Sequence, residues 1–299
     1  MHNTLYIVFL IFLSLLASQG INLSYKFGST RTTDPISSPP LMCTFASIFI
    51  AIIYAVMAFV FDGGISFPNK MSIVYALSLG IAYAFAAYFY LVALSCGPYT
   101  ISAILLNLSS FMPILYSRFF LGENISAPQA AGLAIIITSC VILTISRSRG
   151  TQEAKINVRW MLYAVLMFVA NSLISFTIRV NTKLAPETTK NSLFFLAYIF
   201  AAIFCLIFFF CSGGVKKRIN PKPLILPATC VALSLAMQLT PTAILPKYLS
   251  SALQYPIEKG LSIVLGVIVG ISFFKEKIGK AGWICVLAII CAICLLGLS

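Results

Sequence analysis

Ten apolar runs follow one another along the 299-residue chain, near 3–25, 39–61, 71–95, 99–120, 126–146, 157–180, 190–211, 223–245, 248–274 and 278–298. Each approaches or exceeds the roughly 20 residues that a helix needs to cross the hydrocarbon core of a bilayer. In that medium every backbone N–H and C=O must be satisfied within its own segment, so such runs form helices and not open strands. With 60% of its residues hydrophobic and only 9% charged, the chain has far more apolar side chain than a water-soluble domain of this size can hide. The sequence predicts an all-α integral membrane protein with ten transmembrane helices. The longest loops, about 26–38 and 147–156, leave no room for an inserted soluble domain. The start is apolar from Leu5 and lacks a basic leader, so the first run reads as a span and not as a cleaved signal.

The formal net charge is +13, from 20 Lys and Arg against 7 Asp and Glu. The basic residues sit mostly at the ends of apolar runs, which points to membrane lipids as partners and away from nucleic acid. Loops after spans 1, 5, 7 and 9 hold thirteen of them: Lys26, Arg31, Arg147, Arg149, Lys155, Arg159, Lys216, Lys217, Arg218, Lys222, Lys275, Lys277 and Lys280. The opposite side holds five: Lys70, Arg118, Lys183, Lys190 and Lys247. Basic loops stay cytoplasmic, so the count places both termini outside a plasma or inner membrane.

The only His is His2. Zinc-hydrolase motifs and His-dependent triads are therefore absent, as are P-loop, G-x-S-x-G and dinucleotide fingerprints. The nine Cys lie in or beside apolar runs; Cys291 and Cys294 form a C-x-x-C within the last one, where packing explains them better than redox or metal chemistry. The reading is no enzyme, no catalytic residue, no metal and no cofactor.

Polar residues inside the spans fall on helical faces. Ser14, Ser18, Asn22 and Tyr25 share one face of the first span. Ser251, Gln254, Glu258 and Ser262 share one face of the ninth. The fourth span carries Ser102, Asn107, Ser109 and Ser110 ahead of Pro113, and the sixth carries Asn171, Ser175, Thr177 and Arg179. Single hydroxyls often just join helices, but four such stripes suggest a shared cavity. Within Tyr255-Pro256-Ile257-Glu258-Lys259-Gly260 two charges sit near mid-membrane, each costing on the order of 2.5–3.5 kcal/mol there. The alternatives are a cavity-facing role for at least one charge or a pair that locks helices together. Pro256 removes a helical N–H beside them and so weakens the helix at that depth.

A constant offset of 153 residues brings the two halves into register. Ser18 maps onto Asn171, Asn22 onto Ser175, Lys26 onto Arg179, Ser109 onto Ser262, Glu123 onto Glu276 and Ile125 onto Ile278. The units are residues 1–147 and 157–298, joined by a linker at 148–156. Five spans is an odd number, so the second unit enters from the opposite side, which makes two inverted five-helix repeats around a central cavity. Glu258 and Lys259 map onto Leu105 and Leu106 and break the symmetry.

The first half contains Ala93-Leu94, Gly97, Ser109 to Pro113, Phe120-Leu121-Gly122-Glu123-Asn124-Ile125-Ser126, then Gln129 and Gly132. This resembles the repeat of the drug/metabolite transporter superfamily, specifically its EamA-type members. A degenerate copy, Phe273-Phe274-Lys275-Glu276-Lys277-Ile278, lies in the second half, with Gly266 in place of Pro113 and Cys285 in place of Gly132. The resemblance implies ten helices around a central cavity and movement of amino acids, drugs, sugars or phosphorylated metabolites, including efflux. It implies cytoplasmic termini, against the charge count.

The expected function is secondary-active transport of a small organic solute by alternating access, the protein acting as a monomer or weak homodimer. The cavity is expected between spans 1, 3, 4, 6, 8 and 9. Candidate solute-binding residues are Asn22, Tyr83, Asn107, Asn171, Gln238, Gln254, Glu258 and Lys259, with Glu258 also the candidate for proton coupling and Pro113 and Pro256 the candidate hinges. Tyr83, Tyr88 and Tyr90 with Phe85 and Phe89 form an aromatic wall on the third span. A second mechanism has Lys259 and Arg179 hold a carboxylate or phosphate in an exchanger of anionic metabolites. A different class, a non-transporting scaffold or lipid-handling protein, would lack a solvent-accessible central cavity.

Overall fold

The structure, a computed structural model, describes residues 2–31, 34, 37–66, 70–97, 99–122, 124–150, 158–184, 189–215, 219–275 and 279–297. Glu123, Glu276, Ile278, Lys155 and Lys216 to Arg218 lie outside them, as do the side chains of Arg147, Arg149, Ser110, Ser251 and Cys294. Helix dominates and no strand occurs among the described residues. The helices are α1 (His2–Arg31), α2 (Ser38–Phe61), α3 (Lys70–Cys96), α4 (Tyr99–Leu108), α5 (Met112–Leu121), α6 (Ala127–Gly150), α7 (Val158–Leu184), α8 (Lys190–Cys211), α9 (Lys222–Ile244), α10 (Ser251–Phe274) and α11 (Lys280–Gly297). Single 3₁₀ turns occupy Ser109–Phe111 and Leu245–Lys247.

Among the described residues, eight helices are long and apolar enough to cross a membrane, with α4, its 3₁₀ turn and α5 counted as one; α6 and α11 carry shorter apolar stretches, Ala127–Ile142 and Gly282–Ile293. Their outer faces are apolar too: Leu5, Phe59, Phe119, Phe210 and Leu287 are all exposed. A chain with apolar residues both inside and outside is built for lipid, and this is a multi-pass membrane protein.

Local chemistry sets the helix ends. Pro39 and Pro40 open α2, where a missing N–H costs nothing. Thr189 caps α8 by accepting from the Ser192 N–H at 3.3 Å. The break between α4 and α5 follows from Pro113, which cannot donate to the carbonyl four residues back, that of Ser109. The Met112 N–H reaches that carbonyl within the 3₁₀ turn, and Ser172 on α7 donates to it as well, at 2.9 Å. Pro256 has no such effect: α10 runs continuously from Ser251 through it to Phe274. A proline in the second turn loses one intrahelical bond near an end where bonding is already thin, so the helix survives it. The interrupted span is thus the fourth, not the ninth.

Packing joins the halves pair by pair. α1 lies against α9, and α7 against α3. α2 packs on α9, α8 on α3, and α2 and α8 on each other. α6 pairs with α11 at one side, and α10 meets α1, α4 and α11. Small residues allow the close approaches. A methyl added to Gly80 on α3 would run into the Ala197 carbonyl of α8, and one added to Gly20 on α1 would strike Ser234 on α9. A large apolar cluster runs through α2, α3, α7, α8 and α9 around Tyr54, Leu79, Phe194 and Ala201. It leaves α1, α4, α7 and α10 to meet around polar groups.

The C-terminal ends of α1, α3 and α8 lie together at one end of the bundle. Ser37, after α1, donates to the Ser212 carbonyl at the end of α8 at 3.0 Å, and Lys26 donates to the Leu94 carbonyl near the end of α3, also at 3.0 Å. At the other end Asn191 donates to Asp62 at 2.9 Å.

Candidate functional site

Polar side chains four residues apart on one helix stack above each other and face one neighbour. On α1 this row is Ser14, Ser18 and Asn22; on α10 it is Gln254, Glu258 and Ser262; on α9 it is Gln238 and Thr242. The rows of α1 and α10 meet. Ser18 and Ser262 share a hydroxyl hydrogen bond of 2.7 Å, and Gln19 donates to the Ser262 carbonyl at 3.0 Å. The equivalent helices α7 and α4 meet in the same way. Asn171 donates to the Ser109 hydroxyl at 2.7 Å, and Ser172 to the Ser109 carbonyl at 2.9 Å. Each contact of one set falls on its counterpart in the other at the offset of 153.

Between these contacts lies a cavity of about 70 Å³. A single water needs at least roughly 10–15 Å³, so there is room for more than one. Ser18, Asn22, Tyr83, Asn107, Asn171, Ser175, Gln238, Thr242 and Lys259 supply its polar lining, with Ile21, Leu106, Ile174, Ile178, Leu235 and Leu239 as apolar wall. Its walls come from α1, α3, α4, α7, α9 and α10. Two larger grooves, at α2 with α8 and at α1 with α10, are lined mostly by apolar side chains on the lipid face. We take them as places for acyl chains, not solute, because they offer few polar groups.

Six of the eight sequence candidates line this one cavity: Asn22, Tyr83, Asn107, Asn171, Gln238 and Lys259. Glu258 and Gln254 do not. Glu258 is only 1% exposed and sits behind the wall. Its Oε1 accepts from Ser14, from Thr242 at 3.2 Å and from Lys259 Nζ at 3.1 Å. Its Oε2 is buried without a hydrogen-bond partner. The two backbones point about 100° apart, yet the long lysine stem folds back so that the charges pair while Lys259 still borders the cavity. Gln254 accepts from Arg179 at 3.2 Å and donates weakly to the Thr242 carbonyl. Arg179 is fully buried and turned away from the cavity, with its guanidinium 6.0 Å from the Tyr255 ring. It is not among the residues that line the cavity with Lys259.

Asn22 is oriented by Tyr90, whose hydroxyl donates to Asn22 Oδ1 at 2.8 Å. The Asn22 Nδ2 is left without a partner in a residue only 1% exposed. The aromatic wall of α3 divides: Tyr83 and Tyr90 turn inward, while Phe85, Phe89 and Tyr88 stack with one another and with Phe208 of α8. Ser14, Tyr90 and Thr242 were not among the sequence candidates. Thr242 lies four residues after Gln238 beside Pro241, and that spacing was the available signal. Ser14 was visible on the α1 face, but nothing in the sequence tied it to Glu258. Of the candidate hinges, Pro113 stands at the break of the fourth span, and Pro256 lies within continuous helix. No group of residues able to hold a metal occurs among the described residues.

Comparison with known proteins agrees with this geometry. A crystal structure described only as that of a protein superposes with a TM-score of 0.66 at 16% identity, covering 98% of this chain and 96% of that one, which shows a shared fold over the full length. No curated protein matches the sequence. Residues 5–145 match the EamA-like transporter family. That first half is thus similar to the EamA-like transporters, a family of the drug/metabolite transporter superfamily whose members move small solutes across membranes.

Proposed function

We propose that the protein is a secondary-active transporter that carries a small polar organic solute by alternating access, with ten spanning helices arranged as two inverted five-helix repeats, residues 1–147 and 157–298. The carrying observation is the cavity itself. Three of its helices come from each half (α1, α3 and α4; α7, α9 and α10), and its lining is amide- and hydroxyl-rich at mid-membrane. The matched contacts Ser18–Ser262 and Asn171–Ser109 support the two-fold relation. Because each joins the first helix of one half to the fourth of the other, loosening one and then the other would open the cavity to alternate sides.

Asn22, Asn107, Asn171 and Gln238 hold the solute's polar groups, Tyr83 closes the α3 side, and Lys259 supplies charge. Glu258 acts behind them as the proton-coupling group, and Gln254 braces it through Thr242. Pro113 is the hinge that the break at Ser109–Phe111 favours. The basic loops face the cytoplasm, with the termini outside, and the working unit is a monomer or weak homodimer. A scaffold without transport fits poorly with a polar cavity at this depth. An exchanger that holds phosphate between Lys259 and Arg179 fits poorly with an arginine directed at Gln254.

The test is transport by purified protein in proteoliposomes, with solutes first chosen by thermal shift, since ligand that binds the folded state raises the Tm. The expected result is saturable uptake lost in Asn171→Ala and Gln238→Ala. Uptake unchanged by both substitutions would remove the cavity from the transport route.

A further inference from the structure

The cavity's lining holds a cation that already has a partner. Lys259 is the one charged group among the described residues that border it, and its Nζ lies 3.1 Å from Glu258 Oε1. The two differ in access: the ammonium reaches the cavity, while the carboxylate is 1% exposed behind it. An anionic solute can therefore reach Lys259, but a cationic solute cannot reach Glu258. Asn22 adds a second donor, since its Nδ2 is buried at the cavity without a partner while Tyr90 holds its Oδ1. Tyr83 brings a hydroxyl to the same wall. Donors outnumber charge-bearing acceptors, and no carboxylate among the described residues lines the space to take a solute's ammonium.

We propose that the cavity binds a small monocarboxylate anion together with one proton, the anion replacing Glu258 as the partner of Lys259 and the proton passing to Glu258. The inference rests on the transport reading above and names the solute class and stoichiometry of that site. Before binding, the site holds one ammonium and one carboxylate. The arriving anion forms a hydrogen-bonded ion pair with Lys259 Nζ and accepts from Asn22 Nδ2. Two carboxylates then share one ammonium, and burial disfavours keeping both ionised. The solute carboxylate keeps the cation and the exposed position. Glu258 takes a proton that enters from the bulk, relayed through cavity water that is left neutral, so the site has the same net charge before and after. Neutral Glu258 still accepts at Oε1 from Ser14 and Thr242. Its other oxygen, now without a partner, carries the proton and costs less in apolar surroundings as a hydroxyl than as a share of a carboxylate charge.

The charged and titratable neighbours of Glu258 do not supply an alternative switch. α1 presents Ser14, and α9 presents Thr242. α10 itself presents Lys259 and Gln254. α7 presents Arg179, held at Gln254. α3 offers Tyr83 across the cavity, and α6 and α11 place Cys140 and Cys285 in the apolar cluster with Tyr255. Size narrows the solute further. About 70 Å³, against roughly 30 Å³ for each water's share of the liquid, holds about two waters, so only a very small acid fits. Short hydroxy and keto acids, which have a neutral polar group for Asn107, Asn171 and Gln238, match this space.

The experiment is titration calorimetry on detergent-purified full-length protein with glycolate, lactate and pyruvate. Each titration is run in two buffers of different ionisation enthalpy to count protons. The expected result is binding of at least one acid with uptake approaching one proton, tightening up to tenfold per pH unit as pH falls. Glu258→Gln should bind with no proton uptake and no pH dependence. Lactamide, the neutral counterpart of lactate, should bind at least tenfold more weakly than lactate. Binding of an acid by the unaltered protein without proton uptake overturns the exchange of partners. Equal binding of lactamide, or no binding by any acid, overturns the solute class. Proteoliposome flux of a different solute would then still uphold transport, so the two failures are told apart.

Discussion

Removal of the lysine from the buried pair should cost far more than removal of the carboxylate. In Lys259→Met the Glu258 carboxylate keeps its hydrogen bonds from Ser14 and Thr242 but loses its counter-charge at 1% exposure. An uncompensated buried charge costs about 3–5 kcal/mol. In Glu258→Gln the amide oxygen still accepts from both hydroxyls, and the stranded ammonium borders a cavity with room for water, so the cost should fall to about 1–2 kcal/mol. At about 2 °C per kcal/mol for a chain of this length, the expected losses of Tm are about 6–10 °C and about 2–4 °C. The double variant Glu258→Gln/Lys259→Met carries neither charge and should recover to within about 1 kcal/mol of the parent, because neutral isosteres of a buried pair are tolerated. The assay is thermal unfolding in detergent at pH 7.5, read as a double-mutant cycle. Additive losses would refute the pairing, and equal single losses would refute the difference in access.

Ser172→Ala should cost about 1 kcal/mol, because it removes the hydroxyl that donates to the Ser109 carbonyl from α7; thermal unfolding reads the loss, and an unchanged Tm would sink the contact. Asn171→Ala and Ser18→Ala remove matched contacts on opposite halves, so each should lower stability by about 1–3 kcal/mol and slow transport. A cysteine placed at Ser212 in a Cys-free background should resist membrane-impermeant maleimide in intact cells, while one at Lys70 should react; the reverse pattern would invert the topology.

The spans were legible because in lipid one property, apolar length, decides almost everything. The boundaries and turn residues Pro39, Pro40, Pro113 and Thr189 act through local backbone chemistry and so appear in the sequence too. The contacts Ser18–Ser262 and Asn171–Ser109 join residues that the sequence pairs at the 153-residue offset, since small polar residues there let α1 meet α10 and α7 meet α4. Depth within a polar row was not readable. Glu258 shares its helical face with Gln254 and Ser262, yet the wall of the cavity passes between Glu258 and Lys259, and only the packing of α1 and α9 sets that line. Arg179 has the same history: four polar residues on α7 suggested one surface, but the end of the row turns to Gln254. Pro256 suggested a break because the missing N–H is certain, whereas whether a helix tolerates it depends on its neighbours. The family match covers residues 5–145, where Gly122 and Gly132 stand; the positions paired with them in the second half are Lys275 and Cys285.

The most direct measurement is the access of Ser175 to each side of the membrane. Ser175 lines the cavity and is neither in the ion pair nor among the solute-holding residues, so a Ser175→Cys variant in a Cys-free background reports on the space with the binding groups intact. A membrane-impermeant thiol reagent would be applied to right-side-out and to inverted vesicles, with transport measured in parallel. Alternating access predicts that the cysteine reacts from both sides, and that a bound solute slows both reactions. Reaction from neither side, or from one side alone whatever solute gradient is imposed, would contradict a cavity that opens alternately across the membrane.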